Sequence, residues 1–196
     1  MRLLRSCTHT ALRPRTMLAL TMVVVLCASL GPGVVLAETY TDTWLASITP
    51  GGTATTTSEC AYPDITPDGR YIVFETASGE LVAGDDNGNN DVFLFDRQTG
   101  QVECISVWSD GTIGDGDAET ARISADGRYV VFASWTALVA EDTDGLWDVY
   151  LRDRTAGTTT LLSVNGAGEQ GNGRDKSPSI SADGRYGVFS SNSTNY

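Results

Sequence analysis

ITPDGRYIVF (65–74) decides the fold, because it returns as ISADGRYVVF (123–132) and again as ISADGRYGVF (180–189). Asp68, Asp126 and Asp183 mark spacings of 58 and 57 residues. The match extends beyond this segment. NDVFLFDRQTG (90–100) returns as WDVYLRDRTAG (147–157), and QVECISVWSDGT (101–112) returns as TTTLLSVNGAGE (158–169). TWLASITPGGT (43–53) matches the last of these pieces. A self-similar period of this length marks a repeat architecture, in which one supersecondary unit stacks on its copies.

Each unit reads as four short strands. The first is expected at Asp64–Thr66, with copies at Arg122–Ser124 and Ser179–Ser181. An Asp-Gly pair follows it, the residues that tolerate the positive φ of a tight hairpin. The second strand, Arg70–Glu75 and Arg128–Ala133, is apolar on both faces: Tyr71 and Val73 point one way, Ile72 and Phe74 the other. A run of that kind is covered on both sides. The third is expected at Val92–Phe95 and Val149–Arg152, the fourth at Val102–Val107 and Thr159–Val164. No apolar stripe of helical period occurs after the leader. The expected class is all-β, a β-propeller of four-stranded antiparallel blades stacked radially. A β-sandwich competes, but its strands would not recur as close copies at a fixed period of four.

The pattern P-x-I-[ST]-x-DGRY-x-VF, followed by DV-[FY]-L-x-D-R-x-[TA]-G, resembles the repeat of TolB-like (WD-repeat-like) propellers found in many exported bacterial proteins. The resemblance covers nearly all of residues 43–196. It implies a propeller, and an envelope role with protein partners. Two departures stand out: extended connections at 76–90 and 134–147 lengthen the unit, and few blades are encoded. Residues 43–60 supply one outer strand, 62–107 a blade, 120–164 a second, and 177–196 half of a third. The expectation is an incomplete propeller of about two and a half blades, a fragment of a longer reading frame.

The ends and the charge narrow the function. Arg2, Arg5, Arg13 and Arg15 precede the apolar run Met17–Leu30, and Val35-Leu36-Ala37 offers small residues before Glu38. That order describes a secretory signal peptide over residues 1–37. The whole chain carries −12; without the leader it loses four basic residues and no acidic one, leaving −16. Such a surface repels nucleic acid and anionic membranes. The expected location is therefore exported, periplasmic or extracellular. After signal cleavage no membrane insertion is expected. His9, the one histidine, lies in the leader, so no histidine-based triad or zinc site can be built from residues 38–196. Export permits a Cys60–Cys104 disulfide, although the width of a blade would separate the pair.

Loops hold the candidate functional residues. Going down, up, down and up the four strands puts the 2–3 and 4–1 connections on one end of the blades. Glu80, Asp85, Asp86, Asp91, Glu141, Asp142, Asp144 and Asp148 fall in or beside the 2–3 loops. Asp110, Asp115, Asp117 and Glu119 are assigned to a 4–1 loop. One markedly negative face is expected there. Within it, Asp85-Asp-Asn-Gly-Asn-Asn-Asp91 is echoed by Asp142-Thr-Asp-Gly-Leu-Trp-Asp148, sharing the form D-x-[DN]-G-x-x-D. Closely spaced oxygen ligands around a glycine turn could begin a calcium site, with Asp85, Asn87, Asp91, Asp142, Asp144 and Asp148 as ligands. The same residue types also build tight loops through Asx turns. Otherwise no cofactor is expected.

For a partner, Asp86, Asp115, Asp117, Trp108 and Trp135 are the candidate contacts. Trp108, Trp135 and Trp147 are read as stacking surfaces for sugars, with packing in the core or at the rim as the favoured alternative. Asp96-Arg97 and Asp153-Arg154 read as local ion pairs and turn hydrogen bonds at the 3–4 turns. The expectation is a non-catalytic scaffold that recognises protein or glycan, with a cationic ligand favoured. The alternatives are a propeller appendage of a larger hydrolase, as in prolyl-oligopeptidase-type peptidases, and a calcium-binding structural module.

Overall fold

A computed structural model describes residues 46–49, 52, 55 and 58–196. The expected leader and half of the expected outer strand at 43–60 lie outside them. Among the described residues there are ten strands and no helix: β1 (Cys60–Ile65), β2 (Tyr71–Thr76), β3 (Asp91–Asp96), β4 (Gln101–Cys104), β5 (Ala118–Ile123), β6 (Tyr129–Ser134), β7 (Asp148–Asp153), β8 (Thr158–Leu161), β9 (Asp175–Ile180) and β10 (Gly187–Ser191). They form two four-stranded meanders, β1-β2-β3-β4 and β5-β6-β7-β8, and the hairpin β9-β10, all antiparallel. These are blades and a half-blade of propeller type.

The repeated hairpin follows from its own letters. Thr66 Oγ1 donates to Asp68 Oδ1 at 2.6 Å and accepts from the Tyr71 amide at 3.0 Å. Asp68 Oδ1 also accepts from the Arg70 amide at 3.0 Å, and Gly69 takes φ 70°. Ser124, Asp126, Gly127 and Tyr129 repeat the arrangement. Bonds from the hydroxyl and the amide hold Asp68 and Asp126 below the usual carboxylate range. That is why the motif needs Ser or Thr three residues before its glycine. Arg70 then grips Asp96 through two bonds, at 3.1 and 2.8 Å, and Arg128 grips Asp153 likewise.

The expected turn hydrogen bonds form, from the Gln98 amide to Asp96 and from the Thr155 and Ala156 amides to Asp153, but the expected Asp-Arg ion pairs are corrected. Asp96 and Asp153 pair across strands, while Arg97 Nη1 donates to the Gly69 carbonyl at 2.8 Å. Arg154 reaches the neighbouring blade, where its Nε bonds Glu103 Oε1 at 2.7 Å. Strand bounds also shift. The first strands begin earlier than expected because each carries a bulge: Tyr62, Thr120 and Ser177 adopt positive φ of 48°, 59° and 54° at matching positions. The fourth strands stop at Cys104 and Leu161, beyond which only the single bridges Val107–Ile113 and Val164–Gln170 remain. Glu119 lies within β5, not in the loop before it.

Stacking covers both faces of the central strands. Val73, Val92, Leu94 and Ile105 from the first blade share a core with Ala121, Val130, Phe132 and Tyr150 from the second. Ile72, Phe74, Phe93 and Phe95 turn the other way and pack with Ala46 and Ile48. Each fully buried valine, leucine, isoleucine or phenylalanine among them is worth ~1.5–3 kcal/mol. One contact ties consecutive hairpins together: the Tyr71 ring lies where a Cβ on Gly127 would be, and the Tyr129 ring does the same at Gly184. Arg70 and Arg154 each stack on Tyr71, at 4.5 and 4.6 Å from its centroid. Tyr186, the third copy, is 65% exposed.

Cys104 keeps a free thiol, so the Cys60–Cys104 bridge is not formed. The two sit on opposite edge strands of one blade, ~14 Å apart across three strand spacings. That exceeds the Cα separation a disulfide spans. Burial pushes the Cys104 thiol up to about 12.

Candidate functional site

The 2–3 loops and the intervening 4–1 loop meet at one end of the stack. Asn87 Nδ2 donates to the Gly114 carbonyl at 2.7 Å, and Asn89 Nδ2 to the Asp115 carbonyl at 2.8 Å. The Asn90 amide donates to Asp117 Oδ1 at 2.9 Å, and Thr136 Oγ1 to Asp115 Oδ1 at 2.6 Å. Hence Asp115 and Asp117 stand between the two 2–3 loops and fix their spacing. Asp86 and Asp115 are exposed at the rim.

Trp135 and Trp147 flank the second 2–3 loop, stacked with centroids 6.5 Å apart. Trp135 is 55% exposed, and its Nε1 donates to the Gly145 carbonyl at 2.8 Å. Trp108 differs from both: it is half-buried and packs on the core between the blades. Lys176 Nζ lies 3.5 Å from the Trp147 centroid and pairs with Glu119 at 2.7 Å.

The D-x-[DN]-G-x-x-D loops turn their end aspartates inward. Asp91 and Asp148 are fully buried at the starts of β3 and β7. Asp91 Oδ1 accepts from Ser106 Oγ at 2.5 Å, and Asp148 Oδ1 from Ser163 Oγ at 2.6 Å. The same hydroxyls accept from the Val92 and Val149 amides, each at 3.1 Å. Burial raises both carboxyls to about 6, against the lowering effect of these hydroxyl bonds.

The second loop is the fuller site. Asp142, Asp144 and Asp148 each present an oxygen within 4.8 Å of the others. Gln170 Nε2 bridges Asp142 Oδ1 and Asp148 Oδ2 at 2.8 and 2.9 Å, and Gln170 Oε1 accepts from the Thr143 amide at 3.1 Å. The Tyr150 hydroxyl donates to Asp142 Oδ2. In the first loop Asn87 Nδ2 bonds Asp91 Oδ2 at 2.8 Å, and Asp85 is buried with its Oδ2 unpartnered. Thus three of the six expected ligands, Asp142, Asp144 and Asp148, converge in the second loop, while in the first Asn87 meets Asp91.

Sequence reasoning missed the supporting residues Ser106, Ser163, Tyr150 and Gln170. The serines were visible as the S-V shared by CISV (104–107) and LLSV (161–164). Gln170 carried no such signal, because its counterpart is Ile113.

No family model matches the chain, and no curated protein does. Among solved structures it is similar to TolB from Acinetobacter baumannii, with 24% identity and a TM-score of 0.43 over 69% of this chain and 27% of that one. It is also similar to Kuenenia stuttgartiensis hydrazine synthase, with 16% identity and a TM-score of 0.37 over 65% of this chain and 35% of that one. The chain thus spans between a quarter and about a third of the length of these structures.

Proposed function

We propose that the chain is part of an exported, non-catalytic propeller scaffold that binds a basic protein segment on its acidic loop end. The observation that carries this reading is the cross-bonding of Asn87, Asn89 and Asn90 to the Gly114–Asp117 loop. It holds acidic side chains on a rigid edge instead of leaving them on loose loops. A pre-formed negative rim steers a cationic partner and loses little entropy on binding. The net charge of −16 after removal of residues 1–37 points the same way. The lack of histidine in that portion supports binding over acid–base chemistry.

The stacked Trp135–Trp147 pair favours a second reading, a glycan laid on the aromatic surface. One experiment separates the two: the chain is tested against arrays of basic peptides and of neutral glycans. The protein reading expects peptide binding that falls at least ~10-fold in Asp86→Lys/Asp115→Lys and weakens with salt. Binding to glycans alone, unaffected by the charge reversal and abolished in Trp135→Ala, would replace it with the second.

A further inference from the structure

We infer that the D-x-[DN]-G-x-x-D loops are divalent-cation sites of calcium type, the second built from Asp142, Asp144 and Asp148 and the first from Asp85, Asn87 and Asp91. This inference is independent of the partner reading, which uses the outward residues Asp86 and Asp115.

Geometry is the first support. Calcium–oxygen bonds of ~2.3–2.6 Å allow ligand oxygens up to ~5 Å apart on opposite sides of one ion. The three carboxylates of the second loop already meet that limit, all lying within 4.8 Å of one another. Gln170 stands on the same spot and offers a further oxygen if its amide turns over, since it now donates to two of the three. The smaller magnesium ion would require ligands drawn in to ~2.1 Å and a regular octahedron.

Charge is the second. Two of the three aspartates are buried, and among the described residues no lysine or arginine pairs with any of them. Lys176, which lies over Trp147, is engaged with Glu119. Buried carboxylates without a cationic side chain are normally neutralised or hold a metal.

The third support is a pair of orphaned oxygens. Asp85, at the register of Asp142, is 7% exposed, and its Oδ2 has no partner. It belongs to the same loop as Asn87 and Asp91. Asp175 at the start of β9 is fully buried, and its Oδ1 has no partner either. The Asp175 amide donates to the Trp147 carbonyl at 2.7 Å, beside Asp148. The Tyr196 hydroxyl donates to Asp175 Oδ2. An Asx-turn loop needs no buried carboxylate oxygens of this kind.

Trp135 and Trp147 supply the readout. The metal-stripped 196-residue chain is titrated with terbium, exciting tryptophan and recording lanthanide emission, and calcium is then added as competitor. The expected result is sensitised emission displaced by calcium with an affinity of ~10⁻⁵–10⁻³ M. Asp144→Asn, at an exposed position whose side-chain oxygen still accepts from the Leu146 amide, should weaken calcium at least ~10-fold. Asp85→Asn should leave the emission intact and remove one calcium from the calorimetric stoichiometry. No calcium-displaceable emission at ~10 mM, or equal affinity in Asp144→Asn with circular dichroism unchanged, would overturn the inference.

Discussion

The two 2–3 loops come from the same repeat, yet they solve the burial of their aspartates differently. In the second blade Tyr150 and Gln170 supply a hydroxyl and an amide to Asp142 and Asp148. Their register counterparts in the first blade are Phe93 and Ile113, which supply neither. Asp85 Oδ2 is left without a partner there, and beyond the serine bond that both blades share, Asp91 accepts from Asn87. A shared motif therefore fixes where carboxylates go. What satisfies them is set by residues outside the motif, on the next strand and in the following 4–1 loop.

Both loops hang on one stacked frame, and the largest expected effect comes from breaking it. Gly127→Ala drives a methyl group into the Tyr71 ring at a position of φ 72°. It should cost ~3 kcal/mol or more in urea unfolding. Gly157→Ala, at φ 69° but with open space around it, should cost only ~1–2 kcal/mol. Equal costs would mean that the ring–glycine contact does not hold the blades together.

Next comes a substitution that makes the second loop resemble the first. Tyr150→Phe leaves Asp142 Oδ2 without its hydroxyl and should destabilise by ~1–3 kcal/mol. Combined with Gln170→Ile, the loss should be non-additive, since both side chains serve Asp142. A double-mutant cycle by chemical denaturation measures the coupling.

The smallest effect is a control on which the two blades should agree. Arg70–Asp96 and Arg128–Asp153 are the same staple in both, with Asp153 held down to about 2 by its arginine bonds. A carboxyl depressed from ~3.9 stabilises above that value and loses the contribution as pH falls toward 2. Arg70→Gln and Arg128→Gln should each lower Tm by ~1–3 °C at pH 7 and by less near pH 2.5, since half-exposed pairs contribute little. A large difference between the two variants would show that the blades differ in more than their loops.

Much of this architecture was legible in the sequence, because the [ST]-x-DGRY hairpin carries its own closing bonds. The unbroken apolar run Tyr71–Phe74 likewise announced burial on both faces. Bulges at Tyr62, Thr120 and Ser177 were not legible: none is glycine, and the positive φ falls where the strand registers shift. Nor were the true partners of Asp96 and Asp153, since strand register places an arginine 26 or 25 residues away closer than the adjacent one. At the candidate site, spacing gave the carboxylates. Partnering depends on residues such as Gln170, brought in from the next loop.

The most direct test of this account transplants the missing partners. Phe93→Tyr/Ile113→Gln places a hydroxyl and an amide at the registers that Tyr150 and Gln170 occupy in the second blade. Metal-free thermal unfolding should rise by ~2–5 °C, the worth of one or two recovered bonds to a buried carboxylate. An unchanged or lowered Tm would contradict the claim that the two loops differ because of those partners.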